Sequence, residues 1–185
     1  MILRLEDPKK GDLRDLTPSL TLLKQKLDTR DSKDYMNIIG NRAMFLHTAL
    51  FICLNERASE DDFKQFLGFC MQNEYIGAVQ ICCPHIMRYM IACGILMKAP
   101  TKEYKEFKAS LKTREPLDHT DIMVQFFYAL KLDCNFQLAF ELIGKIYQEL
   151  ENDYFLRPFR ERIREGCQNK FFKTYFKIFN SISFK

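Results

Sequence analysis

Residues Cys82-Cys83-Pro84-His85-Ile86-Met87-Arg88-Tyr89 place two thiols, an imidazole and a guanidinium within eight positions. Such groups could supply a nucleophile with its base, or part of a metal-ligand set. The spacing suits neither. On a helix, residues two apart, such as Cys83 and His85, do not face one another. A cysteine nucleophile also needs a base within hydrogen-bond reach and a third group to orient it, and apolar surroundings disfavour its thiolate. Cys82, Cys83 and His85 lack zinc-ligand spacing, and no second Cys/His cluster completes a set of four. His47 and His119 read as isolated, hydrogen-bonded core histidines. There is no Gly-rich phosphate loop and no HExxH pair. The expectation is no catalytic residue, no metal and no cofactor.

A structural role accounts for more of the stretch. Pro84 has no N–H to donate and disfavours a helical Cys83, so one helix should end and another begin there. After it, Ile86, Met90, Cys93 and Met97 form an inward stripe, with Met87, Ile91 and Ile95 beside them. His85 and Arg88 form the one polar line on that helix and need partners, either backbone carbonyls or a carboxylate. Cys83, Pro84, His85, Arg88 and Tyr89 are therefore read as a joint that fixes the angle between helix pairs.

The elements around this joint are helical from end to end. Thr17 and Pro18 predict a helix start, as N-cap and first residue, running to about Asp28. The next helix spans about Met36 to Leu54, with Ala43, Leu46, Leu50 and Cys53 in one stripe. Met44, Phe45, Phe51 and Ile52 fill its flanks, so it should be buried all round. Ser59 with Asp62 makes a capping box, weaker than one with Glu or Gln. Behind it Phe63, Phe66, Leu67 and Cys70 fall at helical spacing.

A short helix from Glu74 leads to Pro84, and the following one reaches about Lys98. Thr101 opens a helix with Tyr104, Phe107 and Leu111 inward and a lysine-rich solvated face. Asp121 caps a helix carrying Ile122, Met123, Phe126, Phe127 and Leu130. Asn135 starts one with Leu138, Ala139, Leu142, Ile143, Ile146 and Leu150 inward. Pro158 begins a basic helix, and Asn169 should cap a last one that ends near Ser183.

No alternating polar–apolar run is bounded by turn signals, so no sheet is expected. Short connections between helices apolar on two sides suggest stacking. The fold class expected is all-α, an irregular right-handed stack of helix pairs of the α-solenoid type. Residues 1–16 form a charged N-terminal segment, and residues 17–185 the helical-repeat domain.

Composition sets the remaining bounds. A chain of 185 residues, 47% apolar and 28% charged, is ordinary for one soluble domain. Seven cysteines without framework spacing read as reduced thiols of an intracellular, cytoplasmic protein. Met1 to Asp15 has no signal-peptide core. Ile76 to Met97 is long enough to span a bilayer, but a central Arg88 costs about 2.5–3.5 kcal/mol on insertion; no membrane contact is expected.

Net charge is +4 overall, yet the stretch from Arg157 to Lys185 carries eight Lys/Arg against Glu161 and Glu165. An anionic partner should therefore meet this end. Arg157, Arg160, Arg164, Lys170, Lys173 and Lys177 interleave there with Phe171, Phe172, Tyr175, Phe176 and Phe179. Basic residues between aromatics can mark an RNA- or partner-facing strip. The rings also recur as Phe172, Phe176, Phe179 and as Phe171, Tyr175, Ile178, Ile182, which is core spacing with solvated lysines. Both readings stand at this level.

These residues carry a family resemblance. Cys83-Pro84-His85-Ile86-Met87-Arg88-Tyr89 resembles the Cys-Pro-His, aliphatic, Arg-Tyr element of the e-subunit family of eukaryotic translation initiation factor 3. In the same order, Asn41-Arg42, Leu46-His47 and Leu50-Phe51 resemble its earlier helix. Asp121, Asn135-Phe136 and Asn152-Asp153-Tyr154-Phe155-Leu156 resemble the segments before its terminal helices, and Phe171 to Ser183 its aromatic helix. The resemblance spans about Leu20 to Ser183.

It implies a PCI domain, a stack of helix pairs followed by a winged helix, in a non-enzymatic scaffold subunit acting in translation initiation. The implied partners are the other subunits of the factor and the small ribosomal subunit. The alternatives are a scaffold of the proteasome-lid or signalosome type and an RNA-binding helical module using the basic C-terminal helices. Ile122 stands where the family usually has Pro. Lys185 falls where the winged helix should begin, and the family has more helical sequence upstream. The winged helix is thus expected to be absent, in either a fragment or a reduced subunit.

Overall fold

A computed structural model describes residues 16–29, 35–99, 101–112 and 121–179, and is helical throughout these segments, with no strand among the described residues. The helices are α1 (Thr17–Asp28), α2 (Tyr35–Cys53), α3 (Glu60–Cys70), α4 (Asn73–Ile81), α5 (Ile86–Leu96), α6 (Lys102–Lys112), α7 (Ile122–Lys131), α8 (Phe136–Glu149) and α9 (Arg160–Ile178). Short 3-10 turns at Leu150–Asn152 and Arg157–Phe159 join α8 to α9. The expected charged segment lies outside the described residues apart from Leu16.

Most helix starts follow their capping chemistry. Ser59 and Asp62 close a reciprocal capping box on α3, with Asp62 Oδ2 accepting from the Ser59 backbone N–H at 2.7 Å. Asp121 accepts from the backbone N–H groups of Met123 and Val124, and Asn135 from that of Leu138. At α1, Leu16 occupies the cap position and Thr17 is already helical. Pro18 in the first turn sets that start, because the N–H it lacks would have had no partner there.

The core is one continuous apolar cluster with α5 at its centre. α5 packs against α3, α7 and α9, and Ile86, Met87, Met90, Ile91, Cys93 and Ile95 are all buried. Two glycines let neighbours come close. A Cβ on Gly94 would collide with the Tyr104 ring of α6, and one on Gly166 of α9 would collide with Ile95.

Three expectations need correcting. α2 is not buried all round: α1, α3 and α4 cover it on three sides, leaving Met36, Met44 and Phe51 exposed on the fourth. Leu138 is 39% exposed, because at about 100° per residue it lies well off the stripe of Ala139, Leu142, Ile143 and Ile146. Asn169 caps nothing, since α9 runs unbroken through it. Its own neighbours hold the backbone helical there, and the gap between Phe159 and Phe171 is bridged by buried Ile163 and Cys167. The side chain of Leu111, and Ile182 and Ser183, lie outside the described residues.

Candidate functional site

The chain turns sharply between α4 and α5. The Ala78 carbonyl accepts from the N–H groups of Cys82 and Cys83 at 2.9 and 3.1 Å, and from Cys83 Sγ at 3.2 Å, closing α4. The N–H groups of Ile86, Met87 and Arg88 then donate three residues back, to Cys83, Pro84 and His85, which winds the first turn of α5 tightly. Pro84 sits where a missing N–H costs no helical bond. Cys83 is buried and its thiol is pushed up to about 11, by desolvation first and by Cys82 second. That thiol is a packing group, far from the thiolate a nucleophile requires.

His85 reaches out of this turn to His47 on α2. Their Nε2 atoms are 2.9 Å apart, and His47 Nδ1 lies 2.7 Å from the Ala43 carbonyl. A carbonyl can only accept, so His47 Nδ1 carries a proton; in the neutral pair its Nε2 then accepts from His85 Nε2–H. His47 is therefore not isolated, contrary to the expectation above. Desolvation, and then the proximity of His47, hold His85 below its ordinary pKa. His119 lies outside the described residues.

Arg88 points the other way, into a ring of carboxylates. Its Nη1 donates to Asp121 Oδ2 at 3.1 Å and lies 3.8 Å from Glu149 Oε1. Its Nε lies 3.1 Å from Asp153 Oδ2, an ion-pair contact at an angle that does not make a hydrogen bond. Both aspartates are also caps. The other oxygen of Asp121 holds the start of α7, and Asp153 Oδ1 accepts from the N–H groups of Phe155 and Leu156 at 3.0 and 2.9 Å. One guanidinium thus ties α5 to the start of α7 and to the turn that leads into α9. These carboxylates are committed to caps and a cation, which leaves none of them placed as a general acid or base.

Tyr89 completes the joint. Its ring meets Phe155 edge-on at 5.7 Å, and Phe155 in turn meets Phe51 of α2 and Tyr154. Burial, followed by the charge of Asp153, raises its hydroxyl to about 12. The outer side of this cluster is open: Phe51 is 42% exposed and Tyr154 77%. Spacing along the chain offered no sign of these neighbours, because His47 and His85 meet across helices, as do Arg88 and Asp153. The statement that Arg88 needs a carboxylate was the available signal; which carboxylate was not.

The C-terminal basic residues do not form one strip. Arg160 pairs with Glu151, and Arg164 Nη2 lies 3.1 Å from Glu161 Oε2. Both guanidinium groups also lie over the Tyr147 ring, whose hydroxyl donates to Glu161. Arg157 is exposed at the 3-10 turn. At about 100° per residue, Lys170, Lys173 and Lys177 lie roughly 80° to 180° around α9 from Arg160 and Arg164. The aromatic pattern is also only half a core. Phe171 is buried and Tyr175 half-buried against Phe136, whereas Phe172, Phe176, Ile178 and Phe179 are exposed. α8 covers the face of α9 that carries Phe171 and Tyr175 and leaves the face with Phe172 and Phe176 exposed.

Among the described residues, no group of three or more His, Cys, Asp or Glu side chains is set to hold a metal ion. No helix among them is long and apolar enough to cross a membrane.

No family model matches the chain. Curated proteins do. The chain is 24% identical over 164 residues to the E subunit of eukaryotic translation initiation factor 3 from Caenorhabditis briggsae, covering 89% of this chain and 52% of that protein. It is 25% identical over 174 residues to the Arabidopsis thaliana E subunit, covering 88% and 38%. For the Dictyostelium discoideum E subunit the figures are 28% over 150 residues, 78% and 28%. The chain is E-subunit-like. It spans about half, or less, of the length of these relatives.

Some of the residues that carry the resemblance lie far apart in sequence and meet in space, while others, Arg42 at Tyr75 and Phe136 at Phe171, lie elsewhere. In the α4–α5 turn His85 meets His47 of α2, Arg88 meets Asp121 of the α7 cap and Asp153 of the turn before α9, and Phe51 of α2 meets Phe155 of that same turn.

Proposed function

We propose that the chain is a non-enzymatic scaffold component of translation initiation factor 3, of the E-subunit type. It works in the cytoplasm, where it supports assembly of the factor and its attachment to the small ribosomal subunit. The observation that carries this reading is the convergence of several of the E-subunit-like residues on a load-sharing joint rather than on a reactive centre. Arg88, Asp121 and Asp153 set how α5, α7 and α9 meet, and so fix the surfaces that neighbouring subunits would touch. The exposed rings of Phe51 and Tyr154, both against Phe155, lie beside that joint and are the first surface to assign to a neighbour. The absence of enzymatic activity is argued from the buried Cys83 thiol and from carboxylates already engaged as caps.

The test is affinity purification of the tagged chain from its own cells at moderate salt. Other subunits of the factor and small-subunit ribosomal proteins are expected to co-purify. Recovery of proteasome-lid or signalosome subunits in their place would overturn the reading.

A further inference from the structure

Two imidazoles present their Nε2 atoms to each other across helices. His47 stands in the middle of α2 and His85 at the cap position of α5; both are exposed, and the two atoms are 2.9 Å apart. His47 is held from behind, where its Nδ1–H donates to the Ala43 carbonyl at 2.7 Å. That bond fixes the tautomer and leaves the Nε2 lone pair aimed at His85. A metal-ligating histidine is usually oriented in this way, with its other ring nitrogen donating to a carbonyl or carboxylate. Nδ1 of His85 has no hydrogen-bond partner among the described residues, so the proton of that ring can sit there as well as on Nε2.

The separation is that of two neighbouring ligands on one ion. With metal–nitrogen bonds of about 2.0–2.1 Å, nitrogens 2.9 Å apart subtend about 90° at the metal. Right-angled nitrogen positions suit nickel(II) and copper(II), whereas tetrahedral zinc would need the two nitrogens about 3.3 Å apart. The protein supplies two ligands only: no group of three or more His, Cys, Asp or Glu among the described residues is set to hold an ion, so water takes the remaining positions. The supports on both sides are fixed. Ala43 and Leu46 of α2, and Ile86 and Met87 of α5, are buried in the core beside the two histidines. The rings are therefore brought together before an ion arrives, which lowers the cost of ordering them on binding.

We propose that His47 and His85 chelate a divalent first-row transition-metal ion through their two Nε2 atoms, nickel(II) and copper(II) ahead of zinc(II). On binding, the proton on His85 Nε2 leaves to water and one from water is taken up at Nδ1, so both imidazoles stay neutral. The ion replaces a single hydrogen bond between α2 and the α4–α5 turn with two coordinate bonds, and so clamps α2 to the joint. The site does not depend on the scaffold assignment, since it rests on the histidine pair alone.

The test is isothermal titration of the full chain with nickel chloride at pH 7.5, in a buffer that does not bind the metal. One ion per chain is expected. His47→Gln and His85→Gln should each weaken binding by about tenfold or more, with helicity checked by circular dichroism. The double variant should lose little more than either single one, because a chelate is lost with its first ligand. His119→Gln, which removes the remaining histidine, and Cys82→Ser/Cys134→Ser, which removes the exposed thiols, should change affinity less than about twofold. A second readout needs no substitution. Excess nickel should raise the urea midpoint of the wild-type chain, whereas magnesium and manganese(II), which favour oxygen ligands, should leave it in place. No nickel binding by the wild-type chain, binding that survives the double variant, single losses that simply add in it, or binding with no rise in midpoint would each overturn the proposal.

Discussion

Arg88 Nε lies 3.1 Å from Asp153 Oδ2, a contact between the first turn of α5 and the turn that opens the path into α9. The Asp153 side chain is 8% exposed and that of Arg88 15%, so water does little to screen the pair. The same guanidinium hydrogen-bonds Asp121, the cap of α7. One side chain therefore contacts three segments of the stack.

Removing Arg88 leaves the Asp121 and Asp153 carboxylates without the cation they share. Arg88→Met keeps the aliphatic stem and should lower stability by about 2–4 kcal/mol, below the upper range for a buried pair because Asp121 is partly exposed. Urea unfolding followed by circular dichroism measures it. Pairing Arg88→Met with Asp153→Asn should restore part of the loss, since the carboxylate left without its cation is then gone while the amide oxygen still caps. A loss under about 1 kcal/mol in the single variant would show that the joint is held by apolar packing alone.

The close approach of α6 to α5 gives a second prediction. Gly94→Ala drives a methyl group into the Tyr104 ring, which is itself buried, and should cost about 1–3 kcal/mol through overpacking. Tyr104→Leu in the same chain should recover part of that cost. Gly144 is the contrast: it is exposed within α8 and a Cβ there meets nothing. Gly144→Ala should stabilise by about 0.5–1 kcal/mol. Thermal unfolding of the three variants separates the two cases. Equal effects at positions 94 and 144 would contradict the packing described.

Much of this was legible from local chemistry. Pro84 fixed the α4–α5 break because a missing donor acts wherever it stands, and Ser59, Asp121 and Asn135 marked helix starts because caps bond within three residues. What escaped was decided between helices. Met44 and Phe51 look like core residues, and only the number of helices packed around α2 leaves them outside. Asn169 looks like a cap, but a cap needs a helix start, and buried Ile163, Cys167 and Phe171 carry α9 straight past it. The partners of His85 and Arg88 come from other helices, so spacing along the chain could state the need for a partner without naming it.

The His47–His85 contact makes stability depend on pH. His85 titrates below its ordinary value of 6.5 because burial, and then His47, penalise its cation. The unfolded chain takes up that proton first as pH falls. The contribution is therefore complete above about 6.5 and is lost progressively as pH drops from there to the folded pKa, after which it changes no further. Urea midpoints at pH 7.5 and 5.5 should show the wild-type chain losing more stability than His85→Gln, whose amide can still reach His47 but does not titrate. Equal losses in the two proteins would place the pH dependence elsewhere.

Thiol reactivity tests the reading of the Cys82–Tyr89 stretch as packing rather than chemistry. Cys82 and Cys134 are exposed, and Cys53, Cys70, Cys83, Cys93 and Cys167 are buried. Burial raises Cys53 and Cys167 to about 12 and Cys83 to about 11, and holds Cys70 and Cys93 well above their ordinary range. With the thiolate both scarce and covered, these five should wait for unfolding before they react. A disulfide exchange reagent at pH 8 should label two thiols promptly in the native chain and all seven in denaturant. Cys82→Ser should remove one prompt equivalent. Cys134→Gly should remove the other and also stabilise the α7–α8 turn by about 0.5–1 kcal/mol, because Cys134 sits at φ 50° where a side chain is disfavoured. Prompt labelling of a third thiol, assigned by mass spectrometry to Cys83, would show that the α4–α5 turn opens readily. It would also bring back the Cys83–His85 pair as a candidate for chemistry.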